Sequence, residues 1–107
     1  MDFETIPAKE LDRYGREGWL IIDLRSPQEY QEKHIKGAIN IPFEKIEELF
    51  VIGKRQRMIL YCERGAMSMA AARELAAKNY RVKTVVGGIR AYRGFLQVSE
   101  NNRESEK

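Results

Sequence analysis

The single cysteine of the chain, Cys62, stands where the apolar segment Met58-Ile59-Leu60-Tyr61 runs out into Glu63-Arg64-Gly65-Ala66-Met67-Ser68 and an alanine-rich stretch. That order reads as strand, glycine loop and helix. A thiol at the turn faces loop N–H groups and the positive end of the helix. Both favour thiolate over thiol, and the thiolate is the reactive form. Gly65 lets the backbone curl at positive φ, so that successive N–H groups can form an anion nest with Sγ at its centre. Ser68 adds a hydroxyl and Arg64 a guanidinium near the mouth. Such a ring would stabilise a thiolate and, after reaction, a persulfide, without a histidine base. The one histidine, His34, lies in a different segment, with no partner suggested by spacing. The placement points to sulfur or phosphate chemistry.

Each residue also has a structural reading. A lone cysteine after a strand is often a small buried hydrophobe; the glycine loop and helix start tip Cys62 towards a nucleophile. Arg64 either contacts a substrate or is merely solvated. Glu63 reads as exposed, contributing only its backbone N–H. Gly65 serves the loop geometry under either reading, and Ser68 has helix capping as its alternative. Asp23, Arg25 and Glu29 look like a catalytic trio, but Glu29 already belongs to a capping box. An Arg25–Glu29 pair would brace the loop, with Asp23 structural near the rim. His34 reads as holding the turn before Ile35, Met67 and Met69 as core or pocket wall, and Tyr92 and Phe95 as packing residues.

These residues must be positioned by alternating helices and strands. Pro7 opens a short helix over Ala8–Tyr14 that ends near Gly15. Trp19–Asp23 is a β-rich apolar run, a strand buried on both faces. Ser26-Pro27-Gln28-Glu29 is a capping box with proline at the first helical position, starting a helix that ends around His34. Ala38–Pro42 is a short extended piece. Phe43, Ile46 and Phe50 mark one face of a helix running to Gly53. Met58–Tyr61 is the second buried strand, Ala66–Asn79 a helix with Met67, Ala71 and Leu75 in line, and Lys83–Val86 a third strand. Gly87-Gly88 breaks it before a short helix over Ile89–Arg93, and lets the last loop approach the cysteine pocket. Residues 1–98 form the domain; 99–107 are polar and charged, with nothing to bury, and read as a mobile tail.

Strands alternating with helices predict an α/β fold, a parallel sheet with right-handed crossovers and helices on both faces. Ligands of such sheets sit beyond the carboxyl ends of the strands. Asp23, Cys62 and Gly87-Gly88 would then converge on one rim.

Composition narrows the function classes. A chain of 107 residues holds one core. With 43% hydrophobic and 33% charged residues it reads as a globular domain. The apolar run Trp19-Leu20-Ile21-Ile22 is far too short to span a bilayer. Met1-Asp2-Phe3-Glu4 offers no apolar signal segment, so a cytoplasmic location is expected. One cysteine excludes an internal disulfide, and one cysteine with one histidine makes a poor metal site, so no metal and no cofactor are expected. The net charge of +3 suits an anionic substrate, but Lys/Arg and Asp/Glu are interleaved without a basic stripe, which argues against nucleic acid as a partner.

From about Ile6 to Phe95 the sequence resembles the rhodanese-like domain family. The resemblance rests on Asp23-Leu24-Arg25 followed by Glu29-Tyr30, on His34-Ile35-Lys36-Gly37-Ala38-Ile39-Asn40-Ile41-Pro42, on the loop Cys62–Ser68 with its alanine-rich helix, and on Val85-Val86-Gly87-Gly88, in this order and spacing. It implies a three-layer α/β domain whose loop cysteine carries a sulfane sulfur as a persulfide. Thiosulfate is the usual test donor of single-domain members and cyanide the usual acceptor; a thiol or an acceptor protein can take that place. Glu63, Arg64, Gly65, Ala66, Met67 and Ser68 would line the persulfide. A non-turnover sulfur carrier or interaction module is the alternative. Phosphatase-like and arsenate-reductase-like relatives resemble a Cys-x5-Arg pattern, and Ser68 occupies that arginine position here, which favours sulfur transfer. Met67 departs from the commonest pattern, in which arginine precedes the serine.

Overall fold

A computed structural model describes residues 3–98; the tail expected over 99–107 lies outside the described residues. Among the described residues, seven strands and three α-helices follow in chain order: β1 Glu4–Ile6, α1 Leu11–Arg16, β2 Leu20–Asp23, α2 Pro27–Glu32, β3 His34–Ile35, β4 Ile39–Asn40, β5 Arg57–Tyr61, α3 Ala66–Ala77, β6 Arg81–Val85 and β7 Leu96–Gln97. Five form one sheet in the order β1-β6-β5-β2-β4, and every pairing in it is parallel. β3 and β7 make a separate antiparallel ribbon.

Side-chain alternation along the central strands divides the core in two. Ile21, Ile59 and Tyr61 pack with Ile6, Ala8, Leu11, Ile35, Val85, Ile89 and Tyr92. Ile22, Met58 and Leu60 pack on the other face with Ala71, Ala72, Leu75 and Ala76 of α3, and with Leu49 and Tyr80. The sheet is therefore covered on both sides, as the unbroken apolar runs of β2 and β5 require. The expected three-layer α/β architecture is the observed one.

Several elements differ from the sequence reading. The first helix is a 3-10 turn, Ala8–Glu10, that runs on through Gly15 to Arg16. Gly15 sits inside it because a Cβ there would come within 3.3 Å of Ile21 Cδ1. The capping box at Ser26 forms as expected, with Glu29 N–H donating to Ser26 Oγ and Ser26 N–H to Glu29 Oε1. Helix α2 stops at Glu32, before His34, because Lys33 is fully extended and His34 pairs with Gln97. Residues Phe43–Val51 form 3-10 turns broken at Lys45, not an α-helix. Three residues per turn place Phe43, Ile46 and Leu49 on one side, and Leu49 is the one fully buried. β1 went unread because only Ile6 of its three residues is buried. Among the described residues no helix is long and apolar enough to cross a membrane.

Candidate functional site

The carboxyl ends of β2, β5 and β6 meet at one rim. Asp23 pairs with Tyr61, the Leu24 N–H donates to Tyr61 O at 2.9 Å, and the Ile89 N–H donates to Cys62 O at 2.9 Å. Gly87 and Gly88 have φ of +79° and +64°. A Cβ at Gly88 would lie 2.4 Å from Cys62 O and 2.5 Å from Glu63 O, so the turn after β6 can press on the cysteine loop only as glycine.

The loop leaves β5 at Cys62 and enters α3 at Gly65, whose φ is +113°. Gly65 has no side chain to cap the helix, and the sulfur takes the cap's place. The Gly65 N–H donates to Cys62 Sγ at 3.1 Å and the Ser68 N–H at 3.3 Å. Ser68 is the third residue of α3, so its amide is one of those with no carbonyl inside the helix to receive it. Cys62 keeps 2% of its surface, yet it belongs to neither hydrophobic cluster. It lies at the floor of a polar loop. The expected nest is present in a reduced form, with two amides on the sulfur and not an unbroken ring. The amides of Ala66 and Met67, also in the first turn, have no intrahelical acceptor and remain for whatever meets the sulfur.

The other loop residues separate in role. Ser68 does not cap the helix: its hydroxyl, fully buried, donates to Gly65 O at 3.1 Å and accepts from Thr84 Oγ1 at 2.6 Å. Glu63 is not indifferent. Its carboxylate joins Arg25 Nη1 at 3.5 Å to Arg90 Nε at 2.9 Å, and its carbonyl accepts the Arg90 N–H at 3.3 Å. Arg64 is exposed and makes no ion pair among the described residues; it borders a cavity of about 270 Å³ with Gly65, Ala66, Met69, Val86 and Gly87. Met67 and Met69 are 39% and 38% exposed. Neither is core: both flank the buried stripe of α3 at its first turn and stay partly exposed there, and Met69 lines the cavity.

Below the loop lies an ionic network. Arg25 does not pair with Glu29 as expected. Its guanidinium reaches Asp23 Oδ2 at 2.8 Å and the Lys33 carbonyl at 2.6 Å, while Glu29 stays in the capping box. Burial opposes the charge of Arg25, but the hydrogen bonds and charge of Asp23 more than offset it and hold the guanidinium proton more tightly than usual. The Tyr61 hydroxyl donates to Asp23 Oδ2 at 2.6 Å and accepts from the Ile35 N–H at 3.1 Å. Burial, then the charge of Asp23, pushes the Tyr61 phenol well above its usual range. Asp23 thus sits near the rim, fully buried and bonded to both Arg25 and Tyr61. His34 stacks on Tyr30 at 3.7 Å and its Nδ1 is 2.8 Å from Tyr30 O, so it holds that turn in place. Tyr92 packs in the core, whereas Phe95, expected to pack, is 76% exposed, with Lys36 Nζ 5.9 Å from its ring centroid.

Thr84 and Arg90 went unread in the sequence. Arg90 carries no pattern that marks it. Thr84 does carry one: a hydroxyl interrupts the apolar stripe of a strand beside the cysteine helix.

Residues 7–94 match the rhodanese-like domain family. The chain is 34% identical over 80 residues to the thiosulfate sulfurtransferase PspE of Escherichia coli, a match covering 72% of this chain and 75% of that protein. It is 31% identical over 96 residues to a tRNA sulfurtransferase of Desulfurococcus amylolyticus, covering 88% of this chain but only 19% of that much longer protein. Among solved structures, a rhodanese-like domain protein from Staphylococcus aureus superposes with a TM-score of 0.81 at 25% identity, over 91% of this chain and 99% of that one.

Proposed function

The chain belongs to the rhodanese-like domain family, and from that premise we propose that it is a sulfurtransferase whose Cys62 takes a sulfane sulfur from thiosulfate or a similar donor and passes it to a thiophilic acceptor such as cyanide or a thiol. The observation that carries this reading is the Cys62 sulfur at the mouth of α3, accepting the amides of Gly65 and Ser68.

In the first step the Cys62 thiolate attacks the outer sulfur of thiosulfate. A Cys62–S bond forms, the S–S bond of the donor breaks, and its electron pair leaves with sulfite. In the second step the acceptor attacks the outer sulfur of the persulfide. The Cys62 thiolate departs, and thiocyanate or a new persulfide is released. Charge is conserved in both steps, no redox partner is needed, and the kinetics are ping-pong. The amides of Gly65 and Ser68 hold the sulfur that is first nucleophile and then leaving group. Those of Ala66 and Met67 are free to meet the outer sulfur or the sulfite oxygens, with the Arg64 guanidinium at the mouth. Glu63, tied to Arg25 and Arg90, has its charge compensated and does not repel the donor strongly. Sequence similarity to proteins named as sulfurtransferases supports the reading. The partners are a small anionic donor and a thiol, cyanide or protein acceptor.

Phosphate chemistry is the poorer fit. The sixth position after Cys62 is Ser68, and the next arginine, Arg73, is exposed along α3, so the loop lacks the arginine with which a Cys-x5-Arg pattern clamps a tetrahedral anion.

Mass spectrometry after incubation with thiosulfate tests the proposal. The expected result is one added sulfur atom, absent in Cys62→Ser and removed by cyanide. A protein that gains no sulfur, or whose Cys62 is needed to hydrolyse an aryl phosphate, would overturn it. Slow transfer to cyanide with fast transfer to a protein acceptor would make the chain a dedicated carrier.

A further inference from the structure

Thr84 lies on β6, two residues after Val82, on the face where Val82, Met58 and Leu60 pack against α3. Alternation calls for an apolar residue at that position. A hydroxyl there is fully buried, and without a partner it would be destabilising. Its partner is Ser68 Oγ, 2.6 Å away and itself fully buried. The Ser68 hydroxyl in turn donates to Gly65 O at 3.1 Å. The three groups form a directed run, Thr84 to Ser68 to Gly65, each hydrogen bond polarising the next.

The two residues at the end of that run are the two whose amides hold the Cys62 sulfur. Gly65 has no side chain of its own to fix its peptide. Its carbonyl is held by the Ser68 hydroxyl and by the Met69 N–H at 3.1 Å. The Ser68 rotamer in turn is set from outside the loop, by a β-branched residue with a stiff χ1 on a central strand. β6 therefore holds the cysteine loop twice: from beneath through Thr84, and from the side through the glycine turn that follows it.

We propose that Thr84 is a positioning residue for the sulfur chemistry of Cys62, its hydroxyl acting through Ser68 to keep the Gly65 and Ser68 amides aimed at Sγ. The proposal rests on the reading of Cys62 as the sulfur-carrying nucleophile. The Thr84 hydroxyl donates to Ser68 Oγ, and the hydrogen bonds to Sγ come from the Gly65 and Ser68 amides. Its loss should slow the bond-forming step and leave donor binding, which depends on Arg64 and the outer amides, largely intact.

The test compares Thr84→Val, which keeps the shape and removes the hydroxyl, with Thr84→Ser, which restores it. Single-turnover persulfide formation from thiosulfate gives a saturating rate and a half-saturating concentration. Hydrogen exchange of the Gly65 and Ser68 amides in the resting, reduced protein gives a second readout that needs no turnover. In Thr84→Val the saturating rate should fall about tenfold, with half-saturation within about twofold, because small misplacement of preorganised groups costs rate before affinity. The Gly65 and Ser68 amides should exchange faster, and Thr84→Ser should recover both. Parental rate and exchange in Thr84→Val would overturn the proposal, as would equal losses in Thr84→Val and Thr84→Ser. Should Thr84→Val fail to fold, Ser68→Ala breaks the same run, and a parental rate and Gly65 exchange in that variant would be equally decisive against it. If the parental protein takes up no sulfur, the nucleophile reading fails and the proposal falls with it. The exchange rates would then still report whether the hydroxyl run orders the loop, which separates the two failures.

Discussion

Arg25 and Asp23, two residues apart at the end of β2, form an ion pair with side chains only 4% and 0% exposed, and through Arg25 it reaches Glu63 in the cysteine loop. A buried pair need not exceed an apolar pair in stability, but removing one member leaves the other charged and dry. Arg25→Met should therefore lose about 3–5 kcal/mol, read from urea denaturation. Arg25→Lys should recover less than roughly half of that, because an ammonium cannot reproduce the fork that meets Asp23 and the Lys33 carbonyl together. A lysine variant as stable as the parent would show that charge alone holds this corner.

Tyr92 and Asp12 give the protein an alkaline limit. The Tyr92 hydroxyl donates to Asp12 Oδ1 at 2.6 Å, and burial, followed by the hydrogen bond and charge of Asp12, pushes the phenol up to about 12. Unfolded chains release the same proton near 10. The folded state thus favours the neutral phenol, and this contribution is whole below pH ~10 and lost as pH rises towards ~12. Comparing the parent with Tyr92→Phe by urea denaturation cancels the other titrating groups. The stability gap between them should shrink across that window, and a constant gap would refute the linkage.

Gly88 and Gly37 make a controlled pair. Both have positive φ, +64° and +88°, but a Cβ at Gly37 meets nothing within 4 Å, whereas at Gly88 it meets the carbonyls of Cys62 and Glu63. Gly37→Ala should cost only the left-handed backbone penalty, about 1–2 kcal/mol. Gly88→Ala should cost more, and should slow sulfur transfer because the turn can no longer donate the Ile89 N–H to Cys62 O. Equal thermal shifts and unchanged transfer in both would mean that the turn does not hold the loop.

The features legible in the sequence were those with a local cause. Unbroken apolar runs marked β2 and β5, Ser26-Pro27-Gln28-Glu29 marked the start of α2, and the strand–cysteine–glycine–helix order marked the loop. What was not legible depends on competition between partners, on contacts distant in sequence, or on elements too short to show a pattern. Arg25 had Glu29 four residues ahead as an obvious partner, but the capping box had already taken it, and the guanidinium turned to Asp23 and to Glu63, 38 residues on. Glu63 could be read as a spectator because Arg90 lies 27 residues further along. β1, β3 and β7 are two or three residues long, too short for alternation to show. Phe43, Ile46 and Phe50 suited an α-helix as readily as the 3-10 turns that the packing of Leu49 selects.

Met67 bears on the choice of donor. It is the second residue of α3, one before the Ser68 amide that holds the sulfur, and is 39% exposed. Side chains on a helix tilt towards its N-terminus, so this one leans towards the loop mouth. A methionine there supplies no charge, which leaves Arg64 as the exposed cation of the loop. Thiosulfate is a dianion. Placing a guanidinium beside it adds a charge-assisted hydrogen bond, so Met67→Arg should lower the KM for thiosulfate by about tenfold and keep kcat within about twofold. Arg64→Ala should raise that KM by a similar factor, and both effects should weaken with added salt. The two substitutions act on one anion with opposite sign, so the double variant should return close to the parental KM. If Met67→Arg leaves KM unchanged while Arg64→Ala raises it, the donor lies wholly on the Arg64 side of the loop, and the methionine faces the acceptor.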